Sequence, residues 1–202
     1  MGVDVRFATR ADAGEIGAVF ARAFADDPVT SWVTPEAKRR ALVLERLNTA
    51  IARWDGIPRG ATYVALSDGV MVGAAVWQPP RHPVTWRSVP FALTAGAVLG
   101  RDIPRMTRAG SAAARARPRE RHWYLQLLGV DPAVQGTGVG TALVRAHLGV
   151  IDAQRMPAYL ETTIENLAFY DRLGFERFGE LRIATGAPVE YSLRRIKVPP
   201  VG

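Results

Sequence analysis

The chain has no cysteine. Disulfides, thiolate metal sites and a cysteine nucleophile are therefore excluded. The absence suits a reducing compartment, and a cytoplasmic protein is expected. Lysine is almost missing too: Lys38 and Lys197 are the only two, and arginine carries the rest of the positive charge. No apolar run reaches the roughly 18 residues that span a bilayer. The most apolar candidate, Pro90 to Gly100, is too short and is followed by Arg101. The opening Met1-Gly2-Val3-Asp4 lacks the basic and apolar regions of a signal peptide. Position 6 is Arg, where a myristoylation signal needs Ser or Thr. No membrane partner is expected. His82 and His147 show no metal-ligand spacing with each other or with a carboxylate pair, so no metal is expected.

What remains is a soluble, basic composition. The 202 residues suit one domain with a real core, with or without an insertion. Hydrophobic and charged contents of 48% and 22% are ordinary for a globular protein. The net charge of +7 favours anionic ligands. Arg101 to Arg121 carries seven arginines against Asp102 and Glu120. It reads first as a solvated helix face and second as an anion-binding edge. Without interleaved aromatics it is a poor nucleic-acid stacking surface, so nucleic acid is an unlikely partner.

The densest signal is Gly129-Val130-Asp131-Pro132-Ala133-Val134-Gln135-Gly136-Thr137-Gly138-Val139-Gly140-Thr141. The apolar run Trp123 to Leu128 before it reads as a buried strand. Val139, Ala142, Leu143, Ala146 and Val150 after it recur at helical spacing. Strand, glycine-rich loop and helix N-terminus together present free N–H groups and partial positive charge to an anion. An ATP-type loop would need Lys then Ser or Thr after the last glycine, but Thr141 and Ala142 follow Gly140. A dinucleotide fingerprint would need its third glycine one residue later than Gly140. A packing turn with no ligand is the simpler alternative.

Gln135-x-x-Gly138-x-Gly140 resembles the acetyl-CoA pyrophosphate loop of the GNAT-type N-acetyltransferases. A second block, Tyr159-Leu160-Glu161-Thr162-Thr163 followed by Asn166-Leu167-Ala168-Phe169-Tyr170 and Leu173-Gly174-Phe175, is similar to that superfamily's Asn-x-x-x-Tyr helix. The two blocks stand in the family's order and span roughly residues 122 to 176. Arg6 to Asp12 looks like the family's first strand running into its first helix, and Ala23 to Pro28 and Ala75-Val76-Trp77 look more specifically like the bacterial group related to puromycin N-acetyltransferase.

The resemblance implies an α/β fold. Its mixed, mostly antiparallel sheet of about seven strands would be splayed between strands 4 and 5, with helices on both faces. The expected organisation is one domain over 1–202 with a helical substrate-side insertion at about 78–121. Strands are expected at Val3 to Thr9, Ala61 to Leu66, Val70 to Trp77, His122 to Val130, Tyr159 to Thr163, Glu176 to Ala184 and Pro188 to Arg195. Helices are expected at Ala13 to Ala25, Pro35 to Trp54, Trp86 to Leu99, a stretch ending at Arg117, the segment after Gly138, and Ile164 to Leu173.

The implied reaction moves an acetyl group from acetyl-CoA to the amine of a small molecule, directly and in a ternary complex. An alkyl amine is almost wholly protonated at neutral pH, so a base or relaying water helps. The resemblance assigns Tyr170 as the acid near the coenzyme sulfur. Leu128, Gly129, Val130, Gln135, Gly136, Thr137, Gly138, Val139, Gly140, Thr141, Asn166, Phe169 and Tyr170 would hold the coenzyme. Gly129 is read as the bulge residue that frees oxyanion-binding N–H groups. Asn166 is read either as a ligand contact or as a helix N-cap. Strand 4 lacks the carboxylate that many family members carry there. Glu161 is the leading base, with a structural role as the alternative and His122 as a further candidate. Asp26, Asp27, Trp32 and Tyr124 are candidates for the acceptor side. A homodimer is compatible with the family. A non-catalytic acyl-CoA sensor is the competing reading.

Overall fold

In the computed structural model, which describes residues 2–80 and 89–196, seven strands form one sheet ordered β1-β2-β3-β4-β5-β7-β6. They are β1 (Val3–Phe7), β2 (Thr62–Ser67), β3 (Val70–Gln78), β4 (Trp123–Val130), β5 (Ala158–Thr162), β6 (Glu176–Arg182) and β7 (Val189–Arg195). All neighbours are antiparallel except β4 and β5. The helices are α1 (Ala13–Ala23), α2 (Pro28–Val33), α3 (Ala37–Ile51), α4 (Val89–Leu99), α5 (Ile103–Ala116), α6 (Val139–Ala153) and α7 (Leu167–Asp171). Residues 86–88 of the expected fourth helix, and His82, lie outside the described residues.

Local chemistry accounts for most boundaries. Asp68 and Gly69 close the β2–β3 hairpin with φ of 50° and 81°, the twist a two-residue hairpin requires. Gly174, with φ of 81°, stops the turn after α7. Pro28 stands at the first turn of α2, and the Asp27 carboxylate caps it by accepting from Thr30 N–H at 2.8 Å. The pair Asp27-Pro28 thus starts a short helix. The helix expected from Pro35 starts at Ala37 and ends in a wider turn over Ala52–Gly56.

Helices cover both faces. On one, α6 buries Leu143, Val144, Leu148 and Ile151 against Tyr63, Trp77, Trp123 and Leu125. On the other, Ile16, Val19 and Phe20 of α1 and Val43 and Leu47 of α3 cover Val64, Ala74 and Val76. A third, smaller cluster joins α5 and α2 to β6 through Ala112, Trp32, Leu181 and Ile183.

The sheet opens in its middle. β4 and β5 pair only at Trp123↔Ala158 and Tyr124↔Tyr159. Beyond Tyr124, β4 continues along β3 alone, to Val130↔Gly73. Trp77 faces Leu125 and Val76 faces Leu127, so Gln126 is the extra residue on β4. A bulge sharpens local twist, which turns β4 away from β5 at this point. The bulge therefore belongs to Gln126 and not to Gly129, which pairs in register with Ala74. Gly129 is needed for a different reason: a Cβ there would lie 2.5 Å from Phe20 Cδ1 and 3.0 Å from Ala23 Cβ. Its missing side chain lets α1 lie close on the sheet.

Candidate active site

The opened edge of β4, the N-terminus of α6 and the face of α7 enclose a groove of about 390 Å³. Its walls are Leu128, Val130, Val134, Gln135, Gly136, Gly138, Val139, Gly140, Thr141, Asn166, Phe169, Tyr170 and Arg172. The loop before α6 is braced from within. Asp131 accepts from Ala133 N–H at 3.1 Å and is held by Arg22 Nε at 2.6 Å. Gln135 Nε2 donates to Val130 O at 3.2 Å, and Thr137 Oγ1 to Val134 O at 2.7 Å. Gly136 and Gly138 take φ of 79° and 94°, which turns the chain into α6. The first helical bond is Ala142 N–H to Gly138 O, so the amides of Val139, Gly140 and Thr141 precede the ladder. Among the described residues no carboxylate lines this groove and Arg172 adds a positive charge, so its polarity suits an anion. Arg172 had no motif to mark it; it stands just past the end of α7, six residues after Asn166.

Alternation along β4 sorts the oxyanion candidates. Asp131 N–H donates to Val72 O of the β3 side at 2.8 Å. Successive peptide groups face opposite neighbours, so Gly129 also points toward β3. Leu128 and Val130 point toward the groove, which they line and Gly129 does not.

Tyr170 is buried at the groove's inner end, edge-on to Phe169 and Phe175 with centroids 4.8 and 5.8 Å away. Burial pushes its hydroxyl pKa up, so it stays protonated across the working pH range. Asn166 lines the groove at the head of α7 without capping it; its Nδ2 lies 3.4 Å from Thr163 Oγ1.

On the opposite face of the sheet stand Tyr124, Tyr159 and Glu161. The Glu161 side chain is 6% exposed and its Oε1 has no hydrogen bond. Burial raises its pKa, while Tyr124, Arg117 and Tyr159 oppose that rise. Arg117, just past α5, lays its guanidinium over the Tyr124 ring at 3.6 Å, with Nε 3.7 Å from Glu161 Oε1. Glu190 on β7 is the titratable group that motif reading missed. Burial, with Glu161 and Asp27 nearby, moves its pKa up to about 7. Asp26 is exposed and Trp32 packs in the α2–α5 cluster; neither lines the groove. His122 Nδ1 lies 2.7 Å from Glu120 O. His147 is buried against Tyr63, whose hydroxyl lies 3.0 Å from its Nδ1. Among the described residues no group of three His, Asp or Glu side chains could hold a metal ion, and no helix is long and apolar enough to cross a membrane.

A phosphate-type cradle at a sheet splayed between one parallel pair defines the class. Residues 26–175 match the acetyltransferase (GNAT) family, and the chain belongs to it. It is an N-acetyltransferase. The family takes acetyl-CoA as cosubstrate, and the carboxylate-free groove and unpaired α6 amides fit that molecule's phosphates. Among solved structures, one from Corynebacterium glutamicum described as a histone acetyltransferase and related acetyltransferase is 28% identical, with TM-score 0.75 and 100% of each chain covered. An N-acetyltransferase from Staphylococcus aureus is 13% identical at TM-score 0.64, covering 95% of this chain and 99% of that one. A polyamine N-acetyltransferase of Drosophila melanogaster is 17% identical at TM-score 0.55, covering 97% of this chain and 100% of that one. The last two bear on the fold alone.

Proposed function

We propose that this enzyme transfers an acetyl group from acetyl-CoA to the amine of a small molecule, directly and within a ternary complex. The observation that carries the reading is the groove itself. It runs from the free amides of α6 to the buried Tyr170, and it lies along a strand edge that the Gln126 bulge has freed.

The N–H groups of Gly136, Gly138, Val139, Gly140 and Thr141 hold the pyrophosphate, and Arg172 adds charge at the rim. Gln135 and Thr137 brace the loop through Val130 O and Val134 O. The freed edge of β4 takes the pantetheine arm as a strand-like partner, with Asn166 and Phe169 on its other side. Leu128 and Val130 N–H stabilise the oxyanion that develops on the carbonyl. Tyr170 holds a proton for the departing sulfur. Glu161, across the sheet beside Tyr124, accepts the amine proton through water; its raised pKa makes it a better base than a free carboxylate. Asp27 and Tyr124 belong to the acceptor side.

The chain forms one domain, and α4 and α5 are an acceptor-side insertion. The residues Ala23 to Pro28 and Ala75 to Trp77 resemble the bacterial puromycin-acetyltransferase-like group, and the resemblance supports a shared lineage, not a shared acceptor. A reducing cytoplasmic location agrees with the lack of cysteine. The experiment is calorimetric titration of acetyl-CoA followed by acetyl transfer to an amine panel. Binding and amine-dependent transfer are expected. Binding with hydrolysis but no transfer would overturn the acceptor assignment.

A further inference from the structure

One carboxylate near the site has no part in the chemistry above. Glu190 lies two residues along β7 from Ser192, which is paired with Glu161 across β5–β7. Glu161 and Glu190 therefore sit on one face as diagonal neighbours, roughly 7–8 Å apart at the backbone. Asp27, at the start of α2, acts on Glu190 from the other side, and Glu165 acts on Asp27. The face is thus rich in carboxylates, although the protein as a whole is basic.

The cation set against Glu161 is Arg117, and the fit is poor. Arg39–Asp102 and Arg6–Asp12 close to 3.0 and 2.9 Å, but Arg117–Glu161 stands at 3.7 Å. Neither Arg117 Nε nor Glu161 Oε1 makes a hydrogen bond. A carboxylate only 6% exposed with an unmade hydrogen bond is costly unless something completes it. Arg117 is held mainly by stacking on Tyr124, and its backbone has left the helix (ψ 141°). It can swing away without unwinding α5. Glu190 has no ion pair or hydrogen bond among the described residues.

We propose that Glu190, beside Glu161, forms a subsite for a cationic group of the acceptor, and that Arg117 stands over the Tyr124 face until the acceptor displaces it. A compact ammonium lying on that face can donate to Glu190 and leaves Glu161 to accept the amine proton. The favoured acceptor is then a small diamine: one nitrogen is acetylated and a second, charged nitrogen is recognised. This rests on the transferase reading above. Glu190 is a specificity-determining residue, not a catalytic one.

The test compares putrescine, n-butylamine and γ-aminobutyrate as acceptors for the wild-type chain and Glu190→Gln. The wild type should favour putrescine over n-butylamine by about tenfold or more in kcat/KM, and reject γ-aminobutyrate. Glu190→Gln should cut the putrescine preference to under about threefold, chiefly through KM, with a Tm no lower than that of the wild type. Arg117→Gln should lower the KM for putrescine. Equal use of putrescine and n-butylamine, or a preference that survives Glu190→Gln, overturns the subsite. Calorimetry of putrescine binding to the acetyl-CoA-free protein separates the two levels. Equal weak binding of both amines sinks the subsite even if transfer occurs. Preferential putrescine binding without transfer keeps the subsite and sinks the transferase reading.

Discussion

Tyr170 lines the groove and is buried, and its proposed role is to hold a proton for the departing sulfur. Tyr170→Phe keeps the ring packing against Phe169 and Phe175. Its turnover should fall by on the order of a hundredfold, while acetyl-CoA affinity changes by less than about threefold. Stopped-flow turnover with calorimetric binding checks this, and unchanged turnover removes Tyr170 from the role. Gly138 has φ of 94°, where a β-branched side chain is strained by about 1–3 kcal/mol. Gly138→Val should therefore distort the loop and lose acetyl-CoA affinity along with some Tm; retained affinity would contradict the pyrophosphate assignment. Most of the groove lining was legible in the sequence because Val134 to Thr141 are contiguous and glycine-rich. Glu190 and Arg117 were not legible, since neither belongs to a motif. Their meaning comes from β7 lying beside β5 and from the end of α5 folding back on Tyr124.

At the scale of elements, close approach decides where the helices lie. A Cβ on Gly17 would come within 2.6 Å of Glu45 O on α3. Gly17→Ala should separate α1 from α3 and cost roughly 1–3 kcal/mol, read as a lower midpoint in urea. An unchanged midpoint would show that the helices tolerate the extra atom. Periodicity and turn chemistry foretold the strands to within a few residues, and Asp68-Gly69 fixed the first hairpin. The short α2 was hidden because six residues carry too little period to read. Gly129 was misread because a glycine at a strand end suggests a bulge, while the true bulge carries Gln126. Which role a glycine plays depends on what packs over it, and Phe20 is over a hundred residues away in the chain.

Across the whole molecule, half-buried Glu190 and buried His147 set opposing pH slopes. Folded Glu190 titrates at about 7, above the ordinary carboxylate value. As pH rises from about 4.5 to 7 the unfolded chain loses that proton first, so stability falls. Burial lowers His147 to about 4 from 6.5. As pH falls from 6.5 toward 4 the unfolded chain takes up that proton first, so stability falls in the other direction. Glu190→Gln should remove one slope. Its Tm should rise more steeply from pH 4.5 to 6.5 than that of the wild type, and at pH 8 it should be more stable by roughly 1–3 kcal/mol. Parallel profiles by calorimetry would contradict the placement of Glu190. The central claim is that the groove serves acetyl transfer to an amine. Release of coenzyme A thiol from acetyl-CoA, followed with a thiol-reactive dye across mono- and diamines, tests it most directly, because a chain without cysteine adds no background. Release that requires an amine, fastest with diamines, is the predicted result. No amine-dependent release while acetyl-CoA binds in the same samples would contradict it.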